Sequence, residues 1–274
     1  MIPGRFIALV YHDVHPEDAF SYGRLGRSAT MYHVSHRAFR SHLDVIEGAG
    51  LRCLDEAAMR DCLAGGRTRT GPGVLLSFDD GWRGAVECAA PALAERGMAA
   101  FFFITTDFVG RRFFATADAL RRLDPSLFTI GSHGVTHRML SGLSSDAIHA
   151  ELADSRSRLE DLLGRPVTYL SVPGGATDRR VLDIAAAVGY DHVFTSALGM
   201  NPTADGRRGI ARIGVKQDTT PATLRRWLTG DVRRERARAA LLGVPKRVLG
   251  MRTYSRLRRL LLGEAVGREH VFEP

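Results

Sequence analysis

The sequence predicts an α/β fold, a distorted and incomplete (β/α) barrel of about seven parallel strands. Three observations lead there. Short, near-continuous apolar runs alternate with helical stretches along the chain. Those runs lack a polar face, as strands buried on both sides of a parallel sheet do. The chain has 274 residues, 45% hydrophobic and 25% charged, so it has an ordinary globular composition and enough length for one large barrel. An open doubly wound sheet is the alternative arrangement of the same elements.

The strands are expected at 5–12, 73–79, 99–105, 127–132, 167–172, 192–197 and 210–215. Helices are expected at 36–49, 55–64, 83–97, 144–163, 178–188 and 220–229, making right-handed crossovers between them. Ser144, Ser145 and Asp146 offer an N-cap for the fourth helix, Gly164 stops it, and Gly189 stops the fifth. The polar stretch 65–72 is a connection before the second strand. The barrel domain is assigned to 1–230 and a basic helical tail to 231–274. The tail reads as two helices broken at 243–246. In the second, Met251, Tyr254, Leu257, Leu260 and Leu261 share a face flanked by Arg252, Arg256, Arg258 and Arg259.

The net charge is +8, and it is uneven. Residues 225–262 hold 12 Lys/Arg and 2 Asp/Glu, while the rest of the chain holds 26 basic and 28 acidic residues. The tail therefore suits an anionic partner, such as a membrane surface or a lipid-linked substrate, or else packs on the barrel. It lacks interleaved aromatics, and no nucleic acid is expected. Three cysteines, Cys53, Cys62 and Cys88, make neither a disulfide framework nor a cysteine metal site. With no signal-peptide core and no membrane-length apolar run, the expected location is cytoplasmic, peripheral to the membrane where the tail engages it.

Two segments carry candidate chemistry. Leu75-Leu76-Ser77-Phe78-Asp79-Asp80-Gly81 ends an apolar strand in two adjacent carboxylates. In parallel α/β folds, ligands bind at the carboxyl ends of strands. Either a cation or a shared proton compensates the pair, or one Asp caps the next helix while the other faces solvent. Gly131-Ser132-His133-Gly134-Val135-Thr136-His137 follows a second apolar strand. Its histidines, at i and i+4, are expected on one face of a helical turn, close enough to share a cation. One carboxylate and two imidazoles suit Zn²⁺, Co²⁺, Ni²⁺ or Fe²⁺.

Phe-Asp-Asp-Gly followed by Ser-His-x-x-x-His resembles the polysaccharide deacetylases (the NodB-homology, carbohydrate esterase family), over roughly 5–220. The resemblance implies a distorted (β/α) barrel with fewer than eight strands. It also implies Asp79 as general base, Asp80, His133 and His137 as ligands of one divalent ion, zinc first among the candidates, and removal of an N-acetyl group from an amino sugar. Two family features are altered. Where Arg-x-Pro is common, the chain reads Ser171-Val172-Pro173-Gly174-Gly175, with Pro173, Gly174 and Gly175 expected to line the substrate groove. The missing positive charge beside Asp79 then falls to the metal, Arg179, Arg180 or Arg212. The family's Leu-x-His general acid is also absent from Arg212-Ile213-Gly214-Val215-Lys216, so His12 is the substitute, with Lys216 second. The expected substrate is an N-acetylated polysaccharide, oligosaccharide or lipid-linked glycan precursor. The alternatives are a deformylase or non-sugar amidohydrolase on the same scaffold, and a non-catalytic glycan-binding barrel.

Overall fold

The computed structural model describes residues 5–16, 30–65, 72–202 and 209–240. In chain order the strands are β1 (Phe6–Tyr11), β2 (Asp13–His15), β3 (His33–Ser35), β4 (Arg52–Cys53), β5 (Gly73–Phe78), β6 (Ala100–Ile104), β7 (Phe128–Ser132), β8 (Tyr169–Ser171), β9 (His192–Phe194), β10 (Met200–Asn201) and β11 (Ile213–Gly214). The helices are α1 (His36–Gly48), α2 (Glu56–Leu63), α3 (Ala90–Ala94), α4 (Ala117–Arg121), α5 (Ser145–Leu163), α6 (Arg179–Val188) and α7 (Pro221–Leu228).

The main sheet runs β10-β1-β5-β6-β7-β8-β9, with β11 beside β1 and β4 beside β5. All pairings in it are parallel except β10 on β1. The sheet curls because its far edges share one stretch of chain. Ile210 bridges Phe194 of β9, and three residues later Ile213 and Gly214 pair with Leu9 and Val10 of β1. This is the incomplete barrel expected of the sequence, and the open sheet is set aside.

Local chemistry explains where the helices start and stop. Ser35, Asp55, Thr116, Ser144, Asp178 and Thr220 each accept a hydrogen bond from the backbone N–H three residues on. Gly164 and Gly189 end α5 and α6 in the left-handed conformation, as their sequence positions suggested. The helix expected over 83–97 is broken instead into a π-helical turn, Ala85–Ala89, running into α3. Pro91 lacks the N–H that would bond the carbonyl of residue 87, so the helix widens there. Sequence reading missed β2, β3, β4, β10 and α4, all of five residues or fewer. Helical backbone resumes over 233–240, and the amphipathic face expected over 251–261 lies outside the described residues. No helix among the described residues is long and apolar enough to cross a membrane.

Strand alternation divides the core in two. Ile7, Leu9, Leu76, Phe102 and Ile130 face the surrounding helices. Phe6, Ala8, Leu75, Phe101, Phe103, Tyr169, Phe194 and Ile210 fill the interior, and Leu54, Met59 and Cys62 plug its lower end. Rings on strands that do not neighbour one another meet there: Phe103 and Phe194 lie 4.7 Å apart, centroid to centroid. Each such buried ring contributes about 1.5–3 kcal/mol. Gly131 of β7 is needed by this packing. A Cβ there would sit 2.6 Å from the Phe103 ring and 2.7 Å from the Tyr169 carbonyl oxygen. Gly131→Ala is therefore expected to lose about 1–3 kcal/mol of stability by overpacking, read as a lower denaturant midpoint with unchanged slope. An unchanged midpoint would mean that the interior is looser than described.

Candidate active site

The interior alternation continues past the apolar layers into polar ones. On β1 the inward series Phe6, Ala8 leads to Val10 and His12, and on β5 Leu75 leads to Ser77 and Asp79. On β7 Gly131 leads to His133, and on β8 Tyr169 leads to Ser171. The barrel floor is thus aromatic and its carboxyl-end layer is polar. Asp79, Asp80, His133, Ser171 and Arg212 are all buried there.

Asp80 follows Asp79 and should point to the other face. It does not, because its backbone is left-handed (φ 75°) and Gly81 continues the turn (φ 87°). This strain, of about 1–3 kcal/mol in a non-glycine residue, turns both carboxylates into one site.

Asp79 is matched by Arg212, which is only 3% exposed. Arg212 Nη1 and Nη2 donate to Asp79 Oδ1 and Oδ2 at 2.8 and 2.9 Å. Its other N–H groups reach the Thr195 carbonyl (3.1 Å), Ser77 Oγ (3.2 Å) and Ser171 Oγ (2.8 Å), so all five donors are used. Ser171 Oγ donates in turn to Asp79 Oδ2 at 2.9 Å. Burial alone would raise the Asp79 carboxyl, but the guanidinium of Arg212 and the nearby His133 outweigh it and hold Asp79 below the usual carboxylate range. Of the three arginines considered from sequence, Arg212 supplies the charge. Arg179 and Arg180 lie on α6 and pair with Asp183 and Asp178.

Asp80 is compensated differently. Trp82 Nε1 donates to its Oδ2 at 2.9 Å. Its Oδ1 is buried with no hydrogen-bond partner and faces His133 Nε2 at 3.3 Å and His137 Nε2 at 3.1 Å. His133 Nδ1 lies 2.7 Å from the Ser171 carbonyl, which can only accept, so this nitrogen carries the proton. In the neutral ring, Nε2 then presents a lone pair to a carboxylate oxygen. Two lone pairs at that distance repel unless a proton or a cation lies between them. Ligand atoms of Asp80, His133 and His137 all lie within 4.8 Å of one another, the donor set of a one-ion site. Burial would raise the Asp80 carboxyl, yet His137 and His133 hold it well below the usual range.

The segment joining the two histidines is not the helical turn expected from their spacing. Gly134 and His137 are left-handed (φ 77° and 62°), and their loop is pinned from outside. Glu151 of α5, buried, accepts from the Val135 N–H (2.8 Å), the Thr136 N–H (3.0 Å) and the Thr136 hydroxyl. Thr106 and Asp107 donate their N–H groups to the carbonyls of Gly134 and Val135. Sequence reading missed Glu151, one polar residue among many on a helix.

His12 reaches the site's edge. Its ring lies 4.5 Å from that of Tyr32, and its Nδ1 is buried with no hydrogen-bond partner. Burial lowers its pKa; Asp80 and Asp79 work against this without overcoming it. Lys216 Nζ sits 5.8 Å from the centroid of the same Tyr32 ring. Gly174 and Gly175 are left-handed and tightly packed: a Cβ would meet Met139 Sδ at 2.3 Å or Ser196 Cβ at 2.3 Å.

The curled parallel sheet, with this polar cluster at its strand tips, places the chain among the distorted (β/α) barrels. The family it resembles is the polysaccharide deacetylases, whose sequence model matches residues 66–193. The chain is 24% identical over 213 residues to the Bacillus subtilis protein YxkH, provisionally named a polysaccharide deacetylase, covering 78% of this chain and 72% of that one. It is 28% identical over 121 residues to a chitin deacetylase of Pestalotiopsis sp, covering 44% and 40%. In fold it is similar to the Streptococcus pyogenes deacetylase PplD, solved in complex with acetate (TM-score 0.70, 22% identity, 81% of this chain and 97% of that one). IcaB from Ammonifex degensii is equally similar (TM-score 0.70, 24% identity, 82% and 97%).

Removing Arg212 would strand a buried carboxylate. Arg212→Met is expected to cost about 3–5 kcal/mol at neutral pH. Because the folded-state pKa of Asp79 is lowered, the wild-type stabilisation is full above the unfolded carboxylate range and fades as pH falls below it through the folded value. Denaturation of both forms across that acid range should show the gap closing. A constant gap would mean that Arg212 acts by packing alone.

Proposed function

We propose that this chain is a divalent-metal-dependent hydrolase that removes the N-acetyl group from an amino sugar in a glycan. The observation carrying this reading is the partnerless Asp80 Oδ1 facing two imidazole nitrogens, directly beside an ionised Asp79. Asp80, His133 and His137 would hold the ion, zinc first among Zn²⁺, Co²⁺, Ni²⁺ and Fe²⁺. Such an ion supplies Lewis acidity, activating water and polarising an amide carbonyl.

The chain's own residues divide the proton work. Asp79 accepts the proton of the attacking water, its carboxylate kept charged and oriented by Arg212 and Ser171. His12 carries a ring nitrogen with no protein partner at the tip of β1, and it takes up the proton drawn from the water by Asp79 and passes it to the leaving amine. Pro173, Gly174 and Gly175 bring backbone against the groove where the sugar lies. The match to the polysaccharide deacetylase model and the chitin deacetylase similarity support a sugar amide as the bond cleaved. The acetate in the PplD structure, a protein alike in fold, supports acetyl as the acyl group.

Metal content and acetate release, measured together, test this. Wild-type protein should bind about one ion per chain and release acetate from an N-acetylated oligosaccharide, and a chelator should abolish release reversibly. Asp79→Asn should keep the ion and lose turnover, whereas His133→Ala should lose both. His12→Gln should keep the ion and lower kcat by roughly 10²–10⁴-fold. An Asp79→Asn protein with wild-type turnover would sink the base assignment. Metal-free protein that still released acetate would sink the whole reading.

A further inference from the structure

We infer that the glycan taken by this site is anionic, carrying a carboxylate or phosphate group close to the acylated sugar, which Arg111, Arg112 and Arg138 receive. The inference rests on the deacetylase reading for the bond broken and adds the chemical class of what surrounds it.

The three arginines sit in the loops that follow β6 and β7, at the strand ends that carry the ion-binding cluster. Arg138 directly follows His137. Arg111 lies 5.9 Å from the centroid of Phe108, whose ring stacks on His137 at 6.1 Å. Arg112 lies 4.8 Å from the centroid of Phe113. That turn is tied to the Asp80 turn: the Phe113 carbonyl accepts the Arg83 N–H at 2.8 Å, and Phe114 stacks on Trp82, the donor to Asp80.

All three arginines are exposed, and among the described residues none has a carboxylate partner. Other arginines are paired, as in Arg40 with Glu95, Arg121 with Asp118 and Arg158 with Asp107, whereas these three stand unpaired on the loops beside the cluster. The cluster is not a by-product of a basic body either, because outside residues 225–262 the chain holds 26 basic and 28 acidic residues. Stacking on Phe108 and Phe113 holds two of the guanidinium planes and leaves their N–H edges unspent, which is the geometry for bidentate capture of a carboxylate or phosphate.

Binding of labelled tetrasaccharides, followed by fluorescence polarisation at low and high salt, tests the inference. The three arms are a neutral N-acetylglucosamine tetramer, one alternating with glucuronate, and one joined through phosphodiesters. Acetate release is measured in parallel. At least one acidic arm should bind roughly tenfold tighter than the neutral one at low salt, with the advantage fading as salt rises. The arm that gains identifies carboxylate or phosphate as the group read. The triple variant Arg111→Gln, Arg112→Gln, Arg138→Gln should lose the advantage. The triple variant Arg40→Gln, Arg52→Gln, Arg121→Gln, with the same loss of charge from exposed pairs elsewhere, should retain it. Equal binding of all arms, an advantage that survives in the first triple variant, or one that the control variant also loses would each overturn the inference. An acidic preference without acetate release from any arm would overturn the deacetylase reading and leave the binding surface standing.

Discussion

Two carboxylates buried side by side at the end of β5 must each be matched by positive charge, and most of the site follows from how that is done. An unmatched buried charge costs several kcal/mol, and two at one strand tip also repel each other. The chain solves the problem twice, with different chemistry. Asp79 receives a guanidinium that spends all five of its donors on fixed partners. Asp80 receives one indole N–H on one oxygen and turns the other toward two imidazoles. Arg212 is a permanent countercharge, whereas the position between Asp80, His133 and His137 suits an exchangeable one. Neighbouring residues of one type thereby take on different roles through their surroundings.

This arrangement ties the site to closure of the barrel. Arg212 lies on the stretch between Ile210, which bridges β9, and Ile213, which pairs with β1. The segment that joins the two sheet edges is also the one that delivers the countercharge to β5. Its guanidinium rests 5.7 and 5.6 Å from the ring centroids of Phe103 and Phe194, the uppermost aromatic layer of the interior. Loss of closure would therefore leave Asp79 charged and alone, and loss of Arg212 would leave an unpaired carboxylate inside the curl.

What could be read from the sequence was what is local. Asp79, Asp80, His133 and His137 were legible because each pair ends an apolar run, and β1, β5, β6 and β7 were legible for the same apolar continuity. The partner of Asp79 was narrowed only to three arginines, because the contact joins residues 133 apart and exists only once the sheet has curled. Ser171 looked like the loss of a family arginine. In the fold it is the small hydroxyl that bonds both Asp79 and the arginine arriving from the segment before β11. The i, i+4 spacing of the histidines suggested a helical turn, since spacing carries no information on φ. The chain reaches the same proximity through left-handed Gly134 and His137.

Those left-handed residues show what the surrounding framework is for. Glycine would adopt the conformations of Asp80 and His137 with less strain, but glycine carries neither a carboxylate nor an imidazole. The strain must then be offset nearby, and the offsets are visible. Gly81 and Gly134 take up adjoining turns, the carbonyls of Gly134 and Val135 are bonded from the tip of β6, and Glu151 fixes the N–H groups of Val135 and Thr136. A loop held at this many points does not wait for an ion to order it. The cluster is assembled by the fold beforehand, so a cation held there would spend little of its binding energy on arranging these three side chains.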